Sequence, residues 1–224
     1  MGLIFIVSLF ISISILVETI GVWFRYVGSL NNEAALGYST HVRVATLGRF
    51  FILLSAPLLG YMIDSGVSSA AVSSIGVMAF SIVFLILCIN TIYHKLGYLL
   101  FIYRLINRGP VIHDLTCDIG MRSRNLKLII TSMISFTMTA SGILIVNYMA
   151  TIFPENRAML VQMSAFVTMF GTLMHAFLID PVLARACDKD TKLAFNVVKD
   201  FLLGRSIASF ILIVLFCGLS FNVL

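Results

Sequence analysis

The sequence predicts an all-α polytopic membrane protein, a six-helix bundle, from three observations. Of 224 residues, 60% are hydrophobic and only 11% charged, with a mean hydropathy of +1.05. A soluble domain carries about 25% charged side chains, and this chain has too few to cover a compact body with water-compatible surface. The apolar residues fall in runs of about 20–25, or ~30–37 Å as helix, which matches a bilayer core. Period-two alternation over ~10 residues, the mark of a membrane strand, is absent.

Six spans follow in order: 2–24, 43–63, 69–93, 127–150, 156–179 and 204–223. The first lacks the basic start and small-residue cleavage site of a signal peptide, so it reads as a retained span. The second opens with Arg43 and Arg49 and contains Ser55-Ala56-Pro57-Leu58-Leu59-Gly60. There the proline removes a backbone hydrogen bond and predicts a kink. The third and fourth carry serines suited to close helix packing. Between them, 94–108 is too short to span; with basic flanks and tyrosines it predicts an interfacial segment, either a lipid anchor or else a gate or partner-docking surface. Pro154, Glu155 and Arg157 open the fifth span, and Asp180-Pro181 closes it. Residues 180–204 read as a cytoplasmic connection with an amphipathic stretch at 193–198. The whole chain, 1–224, reads as a single membrane domain.

Thirteen of the fifteen Lys and Arg lie on the first, third and fifth connections. The positive-inside rule places those connections in the cytoplasm and both termini outside. The net charge of +5 and the pI near 9.2 are therefore topology signals, and no nucleic-acid partner is needed to explain them. The four cysteines show no C-x-x-C spacing, so neither a disulfide framework nor a zinc site is expected. His113, Asp114, Cys117 and Asp118 read as ordinary loop residues. No metalloprotease, nucleophile-elbow, Walker A or dinucleotide motif is present, so neither an enzyme nor a cofactor is expected.

A sparse echo links the halves. Arg43 and Arg49, Ser55, Gly60 and Asp64 in the second span parallel Arg157, Ser164, Gly171 and Asp180 in the fifth. This predicts two three-span repeats, inverted because each has an odd number of spans, with a transport site between them.

Charges within lipid are costly, so they mark either interhelical locks or a cavity. Glu18 and Arg49 fall at one depth and read as a mutual pair or as part of a cationic cavity with Arg25 and Arg43. Arginine suits that role, because its planar fork donates two parallel bonds to phosphate. Arg157 reads either as a snorkelling side chain with Glu155 at a helix start or as an outer anion site. Asp64 and Asp180 end their helices, where a carboxylate is unfavourable, so each predicts a partner. His175 reads as a packing residue or a proton relay.

Two blocks resemble the Amj family, the alternate lipid II flippases of bacteria. One runs from Arg49 through Ala56-Pro57-Leu58-Leu59-Gly60 to Asp64; the other holds Pro154-Glu155, Arg157, Ser164 and Ile179-Asp180-Pro181. Glu18-Thr19, Arg25 and Gly28 match more loosely, and Thr168-Met169 stands where the family has Asn-Gly. The resemblance implies translocation of undecaprenyl-pyrophosphate-linked peptidoglycan precursor across the bacterial inner membrane. Arg25, Arg43, Arg49 and Arg157 would hold the pyrophosphate. Glu18, Pro57, Gly60, Asp64, Glu155, His175 and Asp180 would gate it or balance charge. Six short helices make a thin wall for a disaccharide headgroup, so a homodimer is expected. The alternatives are a non-transporting scaffold of envelope synthesis and a proton-coupled small-solute transporter.

Overall fold

The computed structural model describes residues 2–92, 97–107 and 124–221. His113, Asp114, Cys117, Asp118 and, of the third connection's cations, Lys95, Arg108 and Arg122 lie outside them. The helices are α1 (Gly2–Ile20), α2 (Trp23–Leu30), α3 (Ala34–Asp64), α4 (Ser69–Ile92), α5 (Gly97–Asn107), α6 (Leu126–Ile152), α7 (Arg157–Met174), α8 (Asp180–Lys189) and α9 (Thr191–Phe221). A short 3-10 turn, Pro154–Asn156, precedes α7, and a π-helical turn, His175–Ile179, joins it to α8. Strands are absent among the described residues.

Six stretches are long and apolar enough to cross a membrane: Gly2–Leu30, Ala34–Asp64, Ser69–Thr91, Leu126–Ile152, Pro154–Lys189 and Thr191–Phe221. The protein is thus an all-helical, multi-pass membrane bundle. Several helices run well past their apolar cores, because amphipathic extensions continue the same turn. α9 starts at Thr191 and buries Ala194, Phe195, Val198 and Phe201 before the lipid-type run begins.

The centre of the bundle is α4 against α9, where Phe80 stacks on Phe216 with centroids 5.7 Å apart. Around this pair the packing recurs in the two halves. The first crossing, α1, packs on α3 and α4; the fourth, α6, packs on α7 and α9. Serine hydroxyls lock both inner contacts: Ser8 and Ser12 donate to the Ile75 and Ala79 carbonyls, and Ser132 donates to that of Phe201. Glycines make both outer contacts. A Cβ added at Gly48 would lie 3.0 Å from the Ser14 carbonyl oxygen, and one at Gly171 would lie 2.7 Å from that of Ser135. In these contacts Gly171 plays the part of Gly48, whereas a Cβ at Gly60 would meet nothing within 4 Å. Packing against a serine carbonyl, not the arginine or aspartate positions, sets this equivalence.

Helix irregularities also lie away from the expected place. α3 is one continuous helix through Pro57, although the proline lacks the N–H that would bond Leu53, and Pro57 itself is exposed. The breaks occur at Gly21–Val22, between α1 and α2, and at the π-helical turn His175–Ile179. Irregular backbone at membrane depth is tolerated where it meets protein or a cavity. Both breaks border the same cavity.

On the basic face, α2 and α3 form a tight hairpin through Asn32, at φ 57°. Gly28 and Gly37 touch backbone to backbone, and a Cβ on Gly28 would lie 2.5 Å from the Gly37 Cα. α5, in the segment expected to be interfacial, docks on this hairpin. Leu99 and Tyr103 are buried there, Asn107 Nδ2 donates to Thr40 Oγ1 at 2.9 Å, and Phe101 and Leu105 face outward. Burial and the nearby Glu33 carboxylate push the Tyr103 phenol up to about 12.

Candidate functional site

α3 and α7 share no extensive interface: α3 lies on α1 and α2, and α7 on α6. The cleft between them holds a cavity at each end, one lined largely by polar and charged groups and the other mostly apolar. The first, of about 240 Å³, lies toward the basic face. It is lined by Glu18, Val22 and Arg25 from the first crossing, by Tyr38, His41, Val42, Ala45, Thr46 and Arg49 from α3, and by His175, Asp180 and Arg205. The chain builds it from its two helix breaks and from the α9 extension.

Two arginines, each 3% exposed, dominate its chemistry. Arg25 Nη2 bonds Asp180 Oδ1 at 2.7 Å, its Nε donates to His41 Nδ1 at 2.9 Å, and its guanidinium lies 4.6 Å from the Tyr38 ring centroid. Arg205 Nη1 donates to Thr19 Oγ1 at 2.7 Å, and Nη2 lies 3.7 Å from Glu18 Oε1 and 3.5 Å from His175 Nδ1. Phe201 and Phe136 cover its guanidinium, at 4.5 and 5.3 Å. His175 Nε2, on its other side, is 3.4 Å from Asp180 Oδ1. One network thus joins four crossings.

It is incompletely satisfied. Arg25 Nη1 and Arg205 Nε are buried and have no hydrogen-bond partner among the described residues. A buried donor without a partner is costly, more so on a cation, and calls for a ligand or water. Three arginines face two carboxylates across the lining, which leaves one positive charge in excess when both histidines are neutral. The arrangement suits a small oxyanion with several acceptor oxygens.

The second cavity, of about 450 Å³, lies at the other end of the cleft. Its lining includes Ala56, Gly60 and Asp64 of α3, Asn147 of α6, and Arg157, Gln162 and Ser164 of α7. Arg157 Nη1 bridges to Asp64 Oδ1 at 2.6 Å across the cleft. At 1.5 Å per residue, His41 and Asp64 are separated by roughly 35 Å along α3, so the cavities mark opposite faces.

The structure therefore gathers Glu18, Arg25, Arg49, His175 and Asp180 in one cavity and Gly60, Asp64 and Arg157 in the other. Arg43 and Glu155 are exposed and line neither, and Pro57 also stands outside both. Glu18 pairs with Arg205 instead of Arg49, because Arg205 enters from α9 at the same depth. Asp64 ends α3 and has the basic partner its position required, whereas Asp180 does not end a helix: it opens α8, where a helix N-terminus favours a carboxylate, and still pairs with Arg25. Sequence reasoning missed Arg205 and His41. Both fall on the buried helical stripe, Ala194–Val198–Phe201–Arg205 on α9 and Gly37–His41–Ala45–Gly48 on α3, and that spacing was the available signal.

Residues 112–203 match a family model described as Amj, Alternate to MurJ. This is the family that the sequence resembles. The matched region covers less than half of the chain and includes the Pro154–Pro181 block, whereas the Arg49–Asp64 block lies outside it. Of the cavity residues, His175 and Asp180 fall within the Amj match, and Arg205 lies just beyond its end. No curated protein and no solved structure matches the chain.

Proposed function

We propose that the protein is a flippase that moves undecaprenyl-pyrophosphate-linked peptidoglycan precursor, lipid II, across the bacterial inner membrane. The Amj match supports this reading, and one observation carries it: two buried arginines with unpartnered N–H groups line a cavity at the edge of a membrane bundle. Basic residues would place this face in the cytoplasm and both termini outside. Arg25 and Arg205 then take the pyrophosphate at the inner leaflet, with Arg49 at the exposed lip. The cleft between α3 and α7 carries the headgroup while the polyprenyl tail stays in lipid. Separation of Arg157 from Asp64 frees a second cation to receive it at the outer face. Because the two halves repeat one packing plan, closing one end and opening the other would exchange equivalent arrangements.

Arg25, Arg49, Arg205 and Arg157 are the substrate contacts in this reading; Glu18, His175, Asp180 and Asp64 hold the arginines until substrate arrives. The exposed position of Arg43 gives it a surface role in gathering anionic lipid. Action in peptidoglycan synthesis, a bearing on cell shape, and a homodimer belong to the same proposal; mass measurement in detergent tests the dimer. The function is tested by placing purified protein in liposomes with labelled lipid II and measuring its exposure on the far leaflet. Movement above that of protein-free vesicles is expected. A scaffold would produce none.

A further inference from the structure

We infer that the basic-face cavity reads the phosphoryl group of its lipid and not the glycan, so that glycan-free prenyl monophosphates are also ligands and cargo. This deepens the flippase reading and rests on it for the site. Size is the first argument. A cavity of about 240 Å³ falls below the ~300–1,000 Å³ of sites that enclose drug-sized ligands, and a disaccharide bearing a peptide is larger still. At ~30 Å³ per water, it has room for a phosphoryl group with a few waters.

The donor set is the second. Arg25, Arg49 and Arg205 present guanidinium forks, whose geometry matches phosphate oxygens. Recognition of a sugar would call for neutral donors and acceptors around a free aromatic face. Among the described lining residues the one phenol ring is Tyr38, which the Arg25 guanidinium already faces at 4.6 Å, and the imidazoles of His41 and His175 are engaged by Arg25, Asp180 and Arg205. Neutral hydroxyls in the lining are those of Tyr38 and Thr46.

Placement is the third argument. Val42, Thr46 and Arg49 are exposed on the outer side of α3, so the cavity mouth lies at the bundle surface beside the α3–α7 cleft. Whatever is attached to the phosphoryl group remains outside this pocket. A ligand lacking the glycan therefore loses no contact made within it. The single excess positive charge also matches a phosphate monoester, whose charge lies between −1 and −2 near neutrality.

The full-length protein would be reconstituted into vesicles holding either a long-chain polyprenyl monophosphate or labelled lipid II. A phosphatase added outside hydrolyses the monophosphate only where the outer leaflet exposes it. Protein-free vesicles should stop at the outer-leaflet share, and vesicles with protein should proceed to completion. Arg205→Lys, which keeps the charge but not the fork, should slow monophosphate movement about tenfold or more. Arg49→Gln, at the exposed lip, supplies a second variant should Arg205→Lys not fold, and a severalfold slowing is expected.

If lipid II moves while monophosphate hydrolysis stops at the outer-leaflet share, the inference is overturned and the flippase reading stands. Movement of the monophosphate alone would uphold the inference and sink lipid II as cargo. Failure of both lipids to move removes both. Wild-type monophosphate movement by every folded variant would show that the cargo bypasses this cavity, which also overturns the inference.

Discussion

Asp64, which ends α3, and Asp180, which opens α8, should respond unequally to neutralisation. Asp180 holds Arg25, whose side chain is 4% exposed, at 2.7 Å; Asp64 holds Arg157 at 2.6 Å in a pair with side chains 71% and 32% exposed. For unit charges ~4 Å apart at an effective dielectric constant of ~20, the attraction is about 4 kcal/mol before desolvation. Asp180→Asn keeps an acceptor oxygen, worth about 1 kcal/mol, and leaves Arg25 with His41 and Tyr38 as partners. Removing one partner of a buried pair costs ~3–5 kcal/mol. Asp180 is itself 29% exposed, so a loss of about 2–3 kcal/mol is expected. The exposed Asp64–Arg157 pair contributes about 0–1 kcal/mol. At ~2–4 °C per kcal/mol for a chain of this size, Asp180→Asn should lower Tm by roughly 4–12 °C and Asp64→Asn by no more than ~4 °C. Thermal unfolding in one detergent, followed by the fluorescence of the buried Trp23, measures both. Equal shifts, or a larger one for Asp64→Asn, would refute the burial argument.

Other expectations concern packing, docking and the hinge. Gly171→Ala places a Cβ 2.6 Å from Thr139 Cγ2 and 2.7 Å from the Ser135 carbonyl oxygen, so it should destabilise the α6–α7 contact by about 1–3 kcal/mol. Gly218→Ala meets nothing within 4 Å and should be neutral or slightly stabilising, which denaturation midpoints would compare. The Tyr103 phenol is pushed up to about 12, so its native state binds the proton more tightly than the unfolded chain does. Its contribution to α5 docking is whole below pH 10 and declines as pH rises through 12; Tyr103→Phe should abolish that alkaline loss in a pH series of unfolding midpoints. α3 runs unbroken through Pro57 and Gly60, so Gly60→Ala should leave lipid movement within about twofold of wild type in liposomes. A larger loss would return the hinge to α3.

Composition and apolar run length made the membrane class and the number of crossings readable, because lipid imposes both directly on side chains. Asp64, at the end of α3, was readable in kind as needing a basic partner, which Arg157 supplies; Asp180 pairs with Arg25 although it opens α8 and ends no helix. Which cation meets which acid was not readable. Arg205 stands at the very start of the sixth span and was counted with the connection's cations, yet α9 begins at Thr191 and carries it into the core beside Glu18. The helix breaks were less readable. A proline inside an apolar run predicts a kink, whereas the breaks that shape the cavity fall at Gly21–Val22 and at a π-helical turn with no comparable signature. The like packing of the two halves rests on serine and glycine contacts between helices, which the charge landmarks of the sequence do not mark.

The central claim is that the paired buried guanidiniums of Arg25 and Arg205 hold the phosphoryl group during transfer. Its most direct test is the movement of labelled lipid II in liposomes containing wild-type protein, Arg25→Lys or Arg205→Lys, each first shown to be folded by its elution and unfolding profile. Lysine preserves the charge and removes the fork, so each variant that folds should move lipid about tenfold more slowly or worse. Movement at the wild-type rate by both variants would contradict the account.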